Sequence, residues 1–336
     1  MRLKAVMLAM FLFGQGATVL GDTLDTVKKK GFVQCGVSQG LPGFSAPDDK
    51  GLWSGLDVDY CRALAAAIFG DASKVRFRPL SAKERFTALQ SGEIDILSRN
   101  TTWTISRDTT LGVDFVGVIY YDGQGFMIAK KNAVKSVKEL DGATICVNLG
   151  TTTELNLADY FRTHGMKYKL VTFEKMDEVN KAYDAGRCDA ITTDQSGLYS
   201  DRTRLRNPED NLILPEIISK EPLGPAVRQG DQRWGDIARW TLYALLEAEE
   251  LGISSKNIDT HKGSKNPSVR RLIGAEGDFG KGLGLDTKWA YNLIKQVGNY
   301  EEIFEKNLGS NSRLKIARGQ NNLWTKGGLH YPMPFR

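Results

Sequence analysis

"FTALQSGEIDILSRN", residues 86–100, and "EVNKAYDAGRCDAITTDQSGL", residues 178–198, are two versions of one phrase. Each reads as a helix, a glycine turn and a short apolar strand, and "SGEIDIL" nearly repeats "AGRCDAI". Two copies and no more indicate two similar lobes, not a tandem array. Working outward, strand and helix keep alternating. Val33, Cys35 and Val37 form a strand, "GLDVDYCRALAAAIFG" a helix that stops at Gly70, and "VRFRPL" another strand. The pattern restarts near Val134 with a strand at Thr144–Asn148, a glycine turn and a helix. The class is therefore α/β with mostly parallel strands. A long helix comes next at "WGDIARWTLYALLEAEELGI". Beyond Gly263 the chain reads as glycine-rich and loop-heavy, with a short helix at Trp289–Val297 and a tail packed on a surface.

The start, "MRLKAVMLAMFLFGQGATVLGD", places Arg2 and Lys4 before an apolar run too short to span a bilayer, with Val19 and Gly21 at cleavage positions. It reads as a secretory signal peptide, residues 1–21, cut before Asp22. The mature chain is long enough for two cores. The formal charge of +5 is dispersed, with no basic stripe interleaved with aromatics, so no nucleic-acid partner is expected. Four cysteines in an exported chain suggest two disulfides, although spacing leaves the pairing open. There is no CxxC, and His164, His261 and His330 lack metal-like neighbours, so neither a metal nor a cofactor is expected.

Three polar stretches carry chemistry. "SRNTTWTISRD" comes after a strand where ligands of α/β sheets sit, with Asn100 and Thr102 as hydrogen-bonding groups and Arg107 able to hold a carboxylate through two parallel bonds. "NLGTTTEL" opens a helix on Thr151 or Thr152. "CDAITTDQSG" ends a strand on Asp194, which can accept an ammonium or simply cap "QSGLYSD". Each alone is an ordinary turn or cap. Together they suit an α-amino acid zwitterion.

The segments "GLDVDYCRALAAAI", "RFTALQSGEIDIL", "NTTWTISRD", "GTTTE" and "GRCDAITTDQSGL" resemble, in order and over nearly the whole mature chain, the periplasmic amino-acid-binding proteins of ABC importers. "LSRNTTWTISRDTTLGVDF" and "QNNLWTKGGLHYP" are similar, more narrowly, to the general L-amino-acid-binding proteins. The resemblance implies a two-lobed periplasmic binding protein fold of type II. Lobe 1 would comprise residues 22–123 and 224–336, and lobe 2 residues 124–223. Hinge strands would cross near Tyr120–Gly125 and Pro222–Arg228. It also implies roles: Arg107 grips the ligand carboxylate, Asn100 and Thr102 add donors, Thr152 closes from the second lobe, and Asp194 takes the ammonium. Arg85 faces the ligand side chain. Leu41 and Ala82 fall where many relatives place larger groups flanking the ligand, and Arg99 stands where a small residue is common, in reach of either a ligand side chain or a neighbouring loop. In this fold the pairs Cys35–Cys61 and Cys146–Cys188 fall together, one per lobe.

The implied protein is a monomeric periplasmic receptor, not an enzyme, that delivers L-amino acids of broad range to a membrane permease. Two alternatives share the fold: a cyclohexadienyl dehydratase-like enzyme, which needs a general acid that no motif supplies, and a receptor reporting to a chemosensor. "SRLK" at 312–315 and the glycine-rich 277–286 lack the context of an SxxK or dinucleotide site.

Overall fold

The computed structural model describes residues 22–336; the signal-peptide expectation falls on residues 1–21, outside them. Two five-stranded sheets organise the chain. The first runs Val75–Leu80, Val33–Ser38, Ile96–Leu97, Ala226–Arg228, Val113–Phe115. The second runs Lys169–Phe173, Thr144–Asn148, Ala190–Asp194, Gln124–Ala129, Asn211–Ile213. Ile96–Leu97 and Ala190–Asp194, the strands of the repeated phrase, hold the central place in each.

In both sheets the first three strands are parallel and the fourth is antiparallel to both neighbours. Four of the five strands in each sheet therefore run the same way, as expected, and the fourth in order is the exception. Parallel neighbours need a helix to return the chain to the same end of the sheet. Gln124–Ala129 and Ala226–Arg228 instead come directly after segments that cross between the sheets, and so enter from the opposite end. Those crossings, Tyr120–Asp122 and Glu221–Leu223, pair with each other antiparallel.

Helix Leu56–Phe69 lies against the first sheet and against helices Gln232–Glu250 and Trp289–Val297. Its run Ala63–Ala67 is buried on every side, which alanine's small side chain permits at such close approach. Gly70, at φ 68°, ends it in the left-handed conformation. Cys35 is bonded to Cys61, tying this helix to the first sheet (Cα–Cα 6.4 Å), and Cys146 to Cys188 in the second (5.8 Å).

The C-terminal part is more helical than its glycines suggest. Pro267–Leu272, Phe279–Leu283, Trp289–Val297 and Tyr300–Asn307 are short helices, and Gly274, Gly284 and Gly298, all at positive φ, turn the chain between them. The last begins at a capping box of Asn299 and Glu302. The tail does more than cover a surface. The Asn321 amide accepts from Tyr121 N–H (2.7 Å) and donates to its C=O (3.0 Å), as a strand neighbour would. Buried His330 sits 3.0 Å from the Tyr300 hydroxyl, which donates to Ile119 C=O at 2.7 Å. The tail therefore braces the first crossing segment. Among the described residues no helix is long and apolar enough to cross a membrane.

Candidate ligand-binding site

The site lies where the central strands of the two sheets end. After Leu97 the chain turns through Ser98–Thr102 around Asp57, a buried acid in the first turn of helix Leu56–Phe69. Ser98 Oγ donates to Asp57 Oδ1 (2.9 Å) and Asn100 N–H to Oδ2 (3.1 Å). This holds Asn100 at φ 30°, a conformation asparagine tolerates better than most. Burial lifts the Asp57 pKa to about 6 against those hydrogen bonds and the nearby Arg99.

Three buried arginines gather behind the turn. Arg99 Nε donates to Leu80 C=O (2.9 Å), and Arg107 Nη1 to Thr102 C=O (2.8 Å). Arg85 reaches only Thr101 Oγ1 at 3.4 Å, and its Nε is buried without a partner. Burial, then Arg107 and Arg99, drive the Arg85 pKa down; Asp194 and Glu221 oppose this. A guanidinium held among two others with an unmatched donor is a place prepared for an anion.

On the second side Thr151, not Thr152, caps helix Thr152–Thr163, accepting from Glu154 N–H at 3.2 Å. Thr152 is thereby free to face across, and its hydroxyl lies 3.3 Å from that of Thr102. Asp194 stands at the N-cap of Gln195–Arg202 but makes no side-chain cap bond. Asp122, from the first crossing strand, takes the Ser196 N–H and hydroxyl instead. Of the two readings of Asp194, cap or cleft acid, the geometry favours the cleft. Burial, then Asp122 and Glu221, push its pKa well up, while an Asn100 hydrogen bond and Arg85 pull it back.

These groups line a small cavity of about 50 Å³. Leu41, Arg85, Arg99, Asn100, Thr102, Thr152 and Asp194 line it. Two expected contacts do not. Arg107 lies behind Thr102 over the Phe86 ring (5.3 Å to the centroid), because its guanidinium is turned onto the Thr102 carbonyl. Ala82 is buried outside the lining. The lobes are closed on each other: Arg204 Nη1 donates to Gly40 C=O (2.8 Å), and Gly150 approaches Lys83 closely enough that a Cβ would stand 3.7 Å from its Cα.

Sequence reasoning missed Asp57, Asp122 and Glu221. Glu221, on the second crossing strand and 1 % exposed, accepts from both threonine hydroxyls: Thr102 at 2.6 Å and Thr152 at 2.8 Å. Its isolated position in "SKEPLG" carries no signal of that. No group of three or more potential metal-binding side chains occurs among the described residues.

Residues 33–260 match the family model of bacterial extracellular solute-binding proteins, family 3. The chain is 62% identical over 334 residues to the general L-amino acid-binding periplasmic protein AapJ of Rhizobium johnstonii, covering 99% of this chain and 97% of that one. It is 55% identical to the glutamate/glutamine/aspartate/asparagine-binding protein BztA of Rhodobacter capsulatus, covering 94% of each. A solved ABC transporter periplasmic binding protein from Brucella ovis, with glutathione bound, superposes with a TM-score of 0.92 at 64% identity, over 94% of this chain and 99% of that one.

Proposed function

The chain belongs to the bacterial extracellular solute-binding proteins of family 3, and from that premise we propose that it is the periplasmic amino-acid receptor of an ABC importer. It takes L-amino acids of broad range between its lobes and hands them, as a monomer, to a membrane permease. Residues 22–123 and 224–336 form one lobe and 124–223 the other, hinged where Tyr120–Asp122 pairs with Glu221–Leu223. The observation that carries the reading is the polarity of the cleft. Asp194 presents a carboxylate that caps nothing, and Arg85 presents an unmatched guanidinium nitrogen. That is the complement of a zwitterion. Arg107 supports the carboxylate side through Thr102, and Arg99 extends the positive region toward the ligand side chain. The role is binding and release, not catalysis: Asp122 and Glu221 are committed to hydrogen bonds within the protein, Asp194 is left for the ligand ammonium, and the relatives are named as binding proteins.

Arg85 and Arg99 both line the cavity, with Arg107 behind them, which exceeds what one α-carboxylate needs. Acidic amino acids and γ-glutamyl compounds such as glutathione therefore belong in the ligand range, in keeping with the molecule bound to the Brucella protein. The test is a thermal-shift panel of the twenty amino acids and glutathione on the mature protein. A ligand at 100 times its Kd stabilises by about 2.7 kcal/mol. No shift with any of them would defeat the reading.

A further inference from the structure

Glu221 is the buried acid with the most cleft contacts, and none of the expected site roles uses it. Its Oε2 accepts from Thr102 Oγ1 (2.6 Å) and Thr152 Oγ1 (2.8 Å), and its Oε1 from Asn156 Nδ2 (2.6 Å) and Ser219 Oγ (2.7 Å). Thr102 comes from the first lobe, Thr152 and Asn156 from the second, and Glu221 from the strand that joins them.

A hydroxyl carries one proton, so one donated to Glu221 leaves only lone pairs for anything else. Both threonines are in that position, and both line the cavity together with Asp194. Their oxygens, 3.3 Å apart, have no proton left to share and call for an outside donor. We propose that Glu221 is a positioning and specificity-determining residue: by drawing the Thr102 and Thr152 hydroxyl protons away from the cleft, it makes both oxygens acceptors for the ligand ammonium. The inference rests on the amino-acid reading and sharpens it. With Asp194, the ammonium meets acceptors from both lobes, so closure is coupled to the one group that separates an amino acid from its oxo or hydroxy analogue. The side-chain hydroxyls of Thr102 and Thr152 then serve the ammonium and not, as the resemblance implied for Thr152, the carboxylate.

Glu221→Gln tests this at constant shape. Asn156 Nδ2 can only donate, so it orients the new amide with its oxygen toward Asn156 and its NH2 toward the threonines. The hydroxyl protons then turn into the cleft. Calorimetry compares L-glutamate with 2-oxoglutarate and L-alanine with pyruvate. Wild type favours the amino acid of each pair, and the variant's preference falls at least tenfold. Should the variant not fold, Thr152→Val deletes one acceptor in the wild-type setting and lowers the same ratio. Either variant weakening both partners of a pair equally, or neither, overturns the role of Glu221 and leaves the receptor reading intact. A wild type that binds no amino acid removes the receptor reading itself.

Discussion

Acid should weaken this protein through His330, by an amount the structure allows to be worked out. The imidazole is 2 % exposed, and burial, helped by the nearby Arg318, pushes its pKa down from 6.5 to about 3. The Tyr300 hydroxyl donates its proton to Ile119 C=O, which leaves His330 Nε2 as the donor of the pair, and burial with the nearby Arg318 keeps the ring neutral. The folded pKa is depressed, so between pH 6.5 and 3 the unfolded chain binds the proton and the folded one does not. Stability is present above the unfolded value and is lost as pH falls through this window. At pH 5 the loss is about 2 kcal/mol, and at pH 4 about 3 kcal/mol. Other groups move oppositely: burial raises the pKa of Asp57 and Asp122 to about 6 and of Asp201 to about 7. Acid therefore relieves a cost at those three sites, and the raw pH profile mixes both signs. The comparison that isolates His330 is wild type against His330→Gln, by urea unfolding at pH 7.5 and 5.0. The variant is the less stable at pH 7.5, and the gap should narrow by about 2 kcal/mol at pH 5.0. Proton NMR of the His330 ring should show no titration down to pH 4. A constant gap, or a ring titrating near 6.5, refutes the argument that the tail is buried neutral against the crossing strand.

Arg85→Met should raise stability in the absence of ligand by about 1–4 kcal/mol, since it replaces a poorly matched buried cation with an apolar chain; it should also weaken acidic ligands, and a loss of stability on thermal unfolding would contradict this. Asp194→Ala should cost on the order of 2–5 kcal/mol of binding, and Arg107→Ala less, because Arg107 acts through the Thr102 carbonyl and does not line the cavity. Calorimetry with a neutral, an acidic and a basic amino acid is the measurement, and wild-type affinity in Arg107→Ala would reduce that residue to a turn support. Arg107→Lys keeps the charge but loses the planar fork, and should bind more weakly than wild type. Non-reducing peptide mapping should recover Cys35–Cys61 and Cys146–Cys188. Replacing either pair by serine should cost about 3–4 kcal/mol in urea unfolding, from loops with sequence separations of 26 and 42.

Much of the architecture was open to a reader of the chain because its signals are local. Strand Thr144–Asn148 and helix Trp289–Val297 stand at the expected bounds, since apolar periodicity and glycine stops act within a few residues. Helix Tyr300–Asn307 escaped notice although its capping box is itself local; the surrounding glycines obscured it. The antiparallel fourth strand of each sheet escaped for a different reason. Strand direction depends on which end of the sheet the chain enters, and that is set by the crossing between lobes.

The site divides along the same line. The sequence alone determined which residue types end the central strands: Asn100, Thr102 and Asp194 stand there because a loop after an apolar strand is read directly. Whether Asp194 would cap its helix or face the cleft was decided by Asp122, whose carboxylate reaches Ser196 across 74 positions. Which threonine would cap and which would cross was decided between Thr151 and Thr152 by the helix start. Glu221 meets Thr102 across 119 positions and Thr152 across 69. A buried carboxylate must collect donors from whatever the fold brings near it, and a hydroxyl's single proton can go to only one acceptor. Hydrogen-bond direction in the cleft is therefore a property of three segments meeting in space, and no one of them carries it in its own sequence.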